Sequence, residues 1–132
     1  MSVIYGERIR LRALEREDLP QFVKWFNDPE VTSGLFNIFP MSMGVEEQWY
    51  ENMLKRPPEE HPLCAEVKEG EDWKLIGNIG LMHFDKTAHS AEVGIVIGEK
   101  DYWDQGYGTE MMSLMLKHCF ETLNLHRVML RV

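Results

Sequence analysis

The sequence predicts an α/β fold of the α+β kind, a mostly antiparallel sheet ending in one parallel pair, and three observations predict it. Two strand-like runs, 63–68 and 75–84, are divided by a segment with Glu69-Gly70-Glu71-Asp72, which reads as a hairpin turn. Val93-Gly94-Ile95-Val96-Ile97 is almost continuously apolar, as a strand covered on both faces reads. A long amphipathic run at 108–123 separates that strand from another at 126–132. Strand, helix and strand therefore form a right-handed crossover.

The elements follow in chain order. Residues 7–14, ERIRLRAL, alternate polar with apolar at the period of a half-buried strand. From Asp18 to Phe26, Leu19, Phe22, Trp25 and Phe26 recur at three- and four-residue spacing; Pro20 suits a first helical turn, and Asn27-Asp28-Pro29 stops the run. The connection 29–44 is unusually apolar, with Leu35, Phe36, Ile38, Phe39, Met41 and Met43, and reads either as a loop tucked onto the core or as a wall of an acceptor pocket. A second helix is expected over 45–55 with Trp49, Met53 and Tyr50 inward, ended by the proline-rich linker 56–62. After the hairpin, 85–89 turns the chain into the central strand 91–97. In the last helix Met111, Met112, Leu114, Met115, Leu116, Cys119, Phe120 and Leu123 make a broad stripe, and Asn124 is placed to cap its end.

At 132 residues, 44% hydrophobic and 27% charged, the chain is one globular domain, 1–132, able to fill a core. No apolar run has the length of a membrane span, and the start lacks the apolar centre of a signal peptide, so a cytoplasmic location and no membrane partner are expected. Cys64 and Cys119 fit neither a disulfide framework nor a paired metal motif and read as reduced, buried small hydrophobes. None of the five histidines falls in a ligand pattern, so no metal is expected. With 14 basic against 22 acidic residues the net charge is -8, which argues against direct nucleic-acid binding and favours a cationic partner such as an amine.

The segment that carries chemistry is Trp103-Asp104-Gln105-Gly106-Tyr107-Gly108-Thr109-Glu110, between the central strand and the long helix. Glycines there let successive backbone N–H groups converge at a helix N-terminus, where the helix dipole favours an anion such as a diphosphate. Met111 stands where a dinucleotide fingerprint needs glycine or alanine, and no Gly-Lys-Ser/Thr follows, so neither a dinucleotide site nor an ATP loop is indicated. A tight strand-to-helix turn with no ligand is the competing reading of the glycines alone.

Glu92-Val93-Gly94-Ile95-Val96-Ile97, followed by Tyr102 to Glu110 and the long helix, resembles motif A of the GNAT N-acetyltransferases. Arg8 to Arg12 with Glu15 to Asp18, and Leu75-Ile76-Gly77-Asn78-Ile79-Gly80, resemble early segments of its ribosomal-protein-alanine and spermidine acetyltransferase-like branch. The resemblance implies the GNAT fold, with a parallel splay between the fourth and fifth strands and the fifth cut short. It implies acetyl-CoA as co-substrate, its diphosphate on the backbone N–H groups of Gln105, Gly106, Tyr107, Gly108 and Thr109, and its pantetheine arm lying like an added strand against Ile95, Val96 and Ile97. The family's loop begins with Gln or Arg three residues before the first glycine, and this chain has Trp103 there. A tyrosine beyond the fifth strand protonates the leaving thiolate in the family, and the sequence stops before any such segment, which reads as a fragment or as a sheet completed by another chain, a homodimer included.

Glu92 is the candidate general base, because a carboxylate opening an apolar central strand is costly unless used. The competing reading is a strand-end carboxylate that is solvated or paired with Arg8, Arg10 or Lys86. His83 and His89 flank the turn near Glu92 and are placed to line an acceptor site. The expected reaction is attack of an amine on the thioester. An ammonium of pKa ~10.4 must give up a proton at a cost of ~4.6 kcal/mol at neutral pH, against ~1.4 kcal/mol for an α-amino group of pKa ~8, so a base matters most for polyamines and lysine-like amines. A small amine or a protein N-terminus is the expected acceptor. A CoA-binding module without turnover and an interaction protein pairing through an open sheet edge are the alternatives.

Overall fold

In the computed structural model, which describes residues 3–33 and 39–130, six strands form one sheet in chain order. They are β1 (Ile4–Tyr5), β2 (Ile9–Ala13), β3 (Leu63–Glu69), β4 (Asp72–Asp85), β5 (Ser90–Ile97) and β6 (Arg127–Leu130), with α1 (Leu19–Phe26), α2 (Pro29–Thr32) and α3 (Met43–Leu54) between β2 and β3, and α4 (Tyr107–Glu121) between β5 and β6. Each pair is antiparallel except β5 and β6, which run parallel. The expected architecture is thus present, with a short first strand added that shifts the parallel pair to the fifth and sixth positions. Two residues are too few to show a period in sequence; β1 exists because Ile4 and Tyr5 pair with Leu11 and Arg10.

The β3–β4 hairpin is tighter than its sequence suggests. Gly70 adopts φ +63, which glycine accepts without strain, so the turn closes between Glu69 and Asp72 and both strands run to its edge.

The pleat sorts side chains to two cores. On one face Ile9, Leu11, Val67, Ile79, Ala91 and Val93 pack under α4, which presents Met111, Met115 and Cys119 at four-residue spacing. The buried stripe is narrower than the sequence suggests, since Phe120 is exposed. On the other face Leu19, Phe22 and Trp25 of α1, with Tyr50 and Met53 of α3, cover Cys64, Leu75 and Val96. Burying Phe22 alone contributes ~1.5–3 kcal/mol. Helix α3 begins two residues earlier than its apolar spacing indicates, because the Ser42 hydroxyl accepts from the Val45 N–H and supplies the cap. Within the apolar connection, Asp28 accepts from the Glu30 N–H and starts α2. Leu35, Phe36 and Ile38, which gave that connection its two readings, lie outside the described residues. Both cysteines are free and buried.

Candidate functional site

The loop entering α4 turns twice through left-handed backbone, at Asp104 (φ +58) and Gly106 (φ +84). Gly106 is the residue before the first helical turn, and its carbonyl accepts from the Glu110 N–H at 3.0 Å. The N–H groups of Tyr107, Gly108 and Thr109 precede that first intrahelical bond and are left unpaired by helix geometry. The sequence has glycine at 106 because a side chain resists φ +84; at 108, glycine leaves the strand-facing side of the turn open.

Beside this turn lies an open hollow of about 540 Å³ lined by Ile97, Trp103, Gly106, Tyr107, Gly108 and Thr109, with Glu30, Val31 and Ser33 opposite. A second hollow of about 290 Å³ shares Val31, Ile97, Trp103 and Gly108 with it and extends along Ile95 and Val96. Together they make one groove from the helix start along the end of β5.

Strand β5 has different neighbours along its length. Ser90 to Val93 pair with β6 on one side, while Gly94 to Ile97 pair with β4 and have, among the described residues, no strand on the other. Strand β4 comes close there because Gly77 has no side chain: a Cβ would fall 2.1 Å from the Val96 carbonyl oxygen. At the strand's end the Trp103 indole N–H donates to the Ile97 carbonyl at 2.7 Å. Trp103 therefore turns inward as a wall of the groove.

The cation at the turn comes from far away in sequence. The Arg8 guanidinium donates to Glu110 Oε1 at 2.8 Å and to the Gln105 carbonyl at 3.1 Å, and lies 4.1 Å from the Tyr107 ring centre. Glu110 also accepts from the backbone N–H groups of Arg8 and Ile9. Burial pushes the Glu110 carboxyl up, and the Arg8 and Ile9 hydrogen bonds with the Arg8 charge outweigh it, leaving the group below the usual carboxylate range. Tyr102, edge-on to Tyr107, donates its hydroxyl to Glu69, a bond that, with burial, pushes the phenol up to about 12.

Glu92 stands near the other end of β5, where His83 Nδ1 lies 2.5 Å from its Oε2. Of the basic residues weighed from sequence, Arg8 is held by Glu110 and Arg10 by Glu66, while His83 meets Glu92. His89 stacks on His126 at 4.7 Å. The predicted residues thus fall in two places, Ile95 to Ile97 with Gln105 to Thr109 around the groove, and Glu92 with His83 farther back on the strand. Val96 turns its side chain into the core under α1 and α3. Among the described residues no group of three or more His, Cys, Asp or Glu is arranged to hold a metal ion, and no helix is long and apolar enough to cross a membrane. Sequence reasoning missed the Arg8–Glu110 clamp, whose partners are 102 positions apart.

A mixed sheet whose next-to-last strand opens beside a glycine-led helix start is the arrangement of the GNAT fold. The chain belongs to the acetyltransferase (GNAT) domain family, whose model matches residues 8–132. A relative from Bacillus licheniformis, an uncharacterized N-acetyltransferase p20, is 30% identical over all of this chain and 74% of its own length. The spermidine N-acetyltransferase of Vibrio cholerae, solved in complex with CoA and spermine, is 26% identical with a TM-score of 0.82 over 95% of this chain and 71% of that one. A GNAT-family acetyltransferase from Bacillus anthracis shares the fold at a TM-score of 0.78 and 22% identity, over 97% of this chain and 72% of that one.

Proposed function

We propose that this protein is an acetyl-CoA-dependent N-acetyltransferase acting on a primary amine. The observation that carries the reading is the groove, in which unpaired N–H groups at the start of α4 run directly into the open side of β5. A nucleotide thioester has that order of chemistry, a diphosphate followed by an arm of amides. Gln105, Gly106, Tyr107, Gly108 and Thr109 fit the diphosphate, because their backbone supplies donors without charge and the α4 dipole favours an anion. Ile95, Val96 and Ile97 offer backbone groups that amides can pair with as a strand would. Acetyl-CoA supplies the activated acyl group when bound.

Glu92 is the base. It takes the proton from the acceptor ammonium; the amine nitrogen forms the new C–N bond as the thioester C–S bond breaks, leaving an amide, free thiol and one proton. The acceptor class follows from charge: at a net -8 the protein attracts cations, and the Vibrio cholerae relative is a spermidine N-acetyltransferase solved with spermine.

The test is acetyl-CoA-dependent release of free thiol with a panel of polyamines, lysine derivatives and peptide N-termini. We expect release above the no-acceptor control that falls steeply in Glu92→Gln. Calorimetric binding of CoA with no release across the panel would instead show a binding module, and no binding of any CoA thioester would overturn the reading.

A further inference from the structure

The β4–β5 ladder is regular from Gly77↔Ile97 to Met82↔Glu92 and then slips, resuming at Asp85↔Ser90. Facing residues in a ladder share a face, so Met82 and Glu92 lie on the side of α1 and α3, and the next residue of an unbroken strand would point toward α4 opposite Ala91. That residue is His83. It does not point there, because it adopts left-handed backbone (φ +53), the conformation of a bulge. The bulge gives the place under α4 to Phe84, which packs against the same core as Ala91. His83 is returned to the other face, where its Nδ1 meets Glu92 Oε2 at 2.5 Å. A left-handed histidine costs conformational energy, and the same bulge that seats Phe84 in the core brings His83 to Glu92.

The two groups differ in access. The His83 side chain is 60% exposed, and that of Glu92 is 19% exposed. A carboxyl group largely withdrawn from water is thus joined to water through an imidazole ring.

We propose that His83 is a positioning residue for Glu92, holding Oε2 and carrying off the proton that Glu92 takes from the acceptor. The inference rests on the reading of Glu92 as the base. In the step proposed, the Oε2 proton passes to Nδ1 while Nε2 gives its own proton to water; Glu92 is again a carboxylate, and the ring recovers its tautomer by exchange with solvent. No other reactant is required. The arrangement serves strongly basic amines most, since their proton is the most costly to remove, and so deepens the acceptor assignment toward polyamines and lysine-like groups.

His83→Gly and His83→Asn both tolerate φ +53, so both variants keep the backbone; glycine removes the ring, and asparagine keeps a polar group that cannot carry a proton away. Thiol release is measured for wild type, both variants and Glu92→Gln with amines ranging from glycylglycine to spermidine. Expected is a loss in kcat of ~10–100-fold for the most basic amines and less than ~3-fold for the α-amino group, with KM for acetyl-CoA within ~2-fold. A purely structural role would lower all amines alike. Equal losses across the series, or none while Glu92→Gln is crippled, overturn the inference and leave Glu92 standing. Wild-type rates in Glu92→Gln, or no transfer to any amine by wild type, overturn the functional reading and this inference with it.

Discussion

Two guanidinium–carboxylate clusters sit at opposite ends of the same stretch of chain, and they are built differently. At one end Arg12 forks onto Asp18 with two 2.8 Å bonds and reaches Glu66 at 3.0 Å, while Arg10 takes the other Glu66 oxygen at 2.7 Å. Asp18 also accepts from the Glu15 N–H. Both carboxylates are only 9% exposed, and their bonds are spent within the protein. At the other end the Arg8 side chain is 44% exposed, and its carboxylate partner lies in the first turn of the helix that lines the groove. The sealed cluster fixes α1 to the sheet. The open one fixes the shape of a loop while leaving the donors beside it uncommitted, and that difference separates an ion network sealed in the core from one at the rim of the candidate groove.

The largest test of the contrast is to break the sealed cluster. Asp18→Asn or Arg12→Met strands a buried charge and is expected to cost about 3–5 kcal/mol in urea unfolding; a loss like that of a surface pair would erase the distinction. The pH dependence has a definite sign. Burial pushes the Asp18 carboxyl up, but the Arg12 bonds and the Glu15 N–H outweigh it and hold it below the usual range. Its stabilisation is therefore complete above the unfolded value near ~4 and drains away as pH falls through the folded value, so Asp18→Asn should flatten the acid limb of the stability curve.

Next in size is Gly106→Ala, which places a side chain at φ +84. About 1–2 kcal/mol of backbone strain is expected, and if the loop relaxes to escape it, CoA affinity by calorimetry falls roughly tenfold. Glu46 sharpens the comparison from the opposite direction, as a carboxyl with no arginine. It is 3% exposed, its Oε2 has no hydrogen-bond partner among the described residues, and burial pushes its pKa up. The folded state then binds a proton more readily than the unfolded one, so stability drops as pH rises through that interval. Glu46→Gln should raise stability at neutral pH by about 1 kcal/mol, an effect that vanishes below pH ~4. The smallest effect on folding is expected from Arg8→Met, with a thermal midpoint within about 2 °C of wild type and weaker CoA binding.

Much of this was readable in the sequence, for identifiable reasons. Strand β5 and the α4 stripe announce themselves because burial on two faces leaves a continuous apolar run at 91–97 and burial on one helical face leaves a periodic one at 111–119, although the strand lies next to the sheet edge and not at its centre. Gly106 is visible because few residues accept the left-handed backbone of the turn, and Gly108 because it repeats the glycine two positions later. His83 was legible only as a neighbour of Glu92 across a turn, since residues 75–84 read as one strand and a register slip exchanges faces without altering composition. The Arg8–Glu110 clamp was hidden for a different reason: both charges look like solvated surface until α4 crosses over β2. Glu66 and Glu46 were equally silent, because a lone glutamate in a strand or helix does not reveal which way it faces.

Trp103 has a consequence beyond packing. Of the chain's tryptophans it is the one that lines both hollows of the groove, with its indole N–H tied to the end of β5. Its emission is therefore an optical reporter built into the protein, sensitive to the arrival of any molecule that displaces solvent from the ring. Filling of the groove can be followed by fluorescence in native protein, with no label attached.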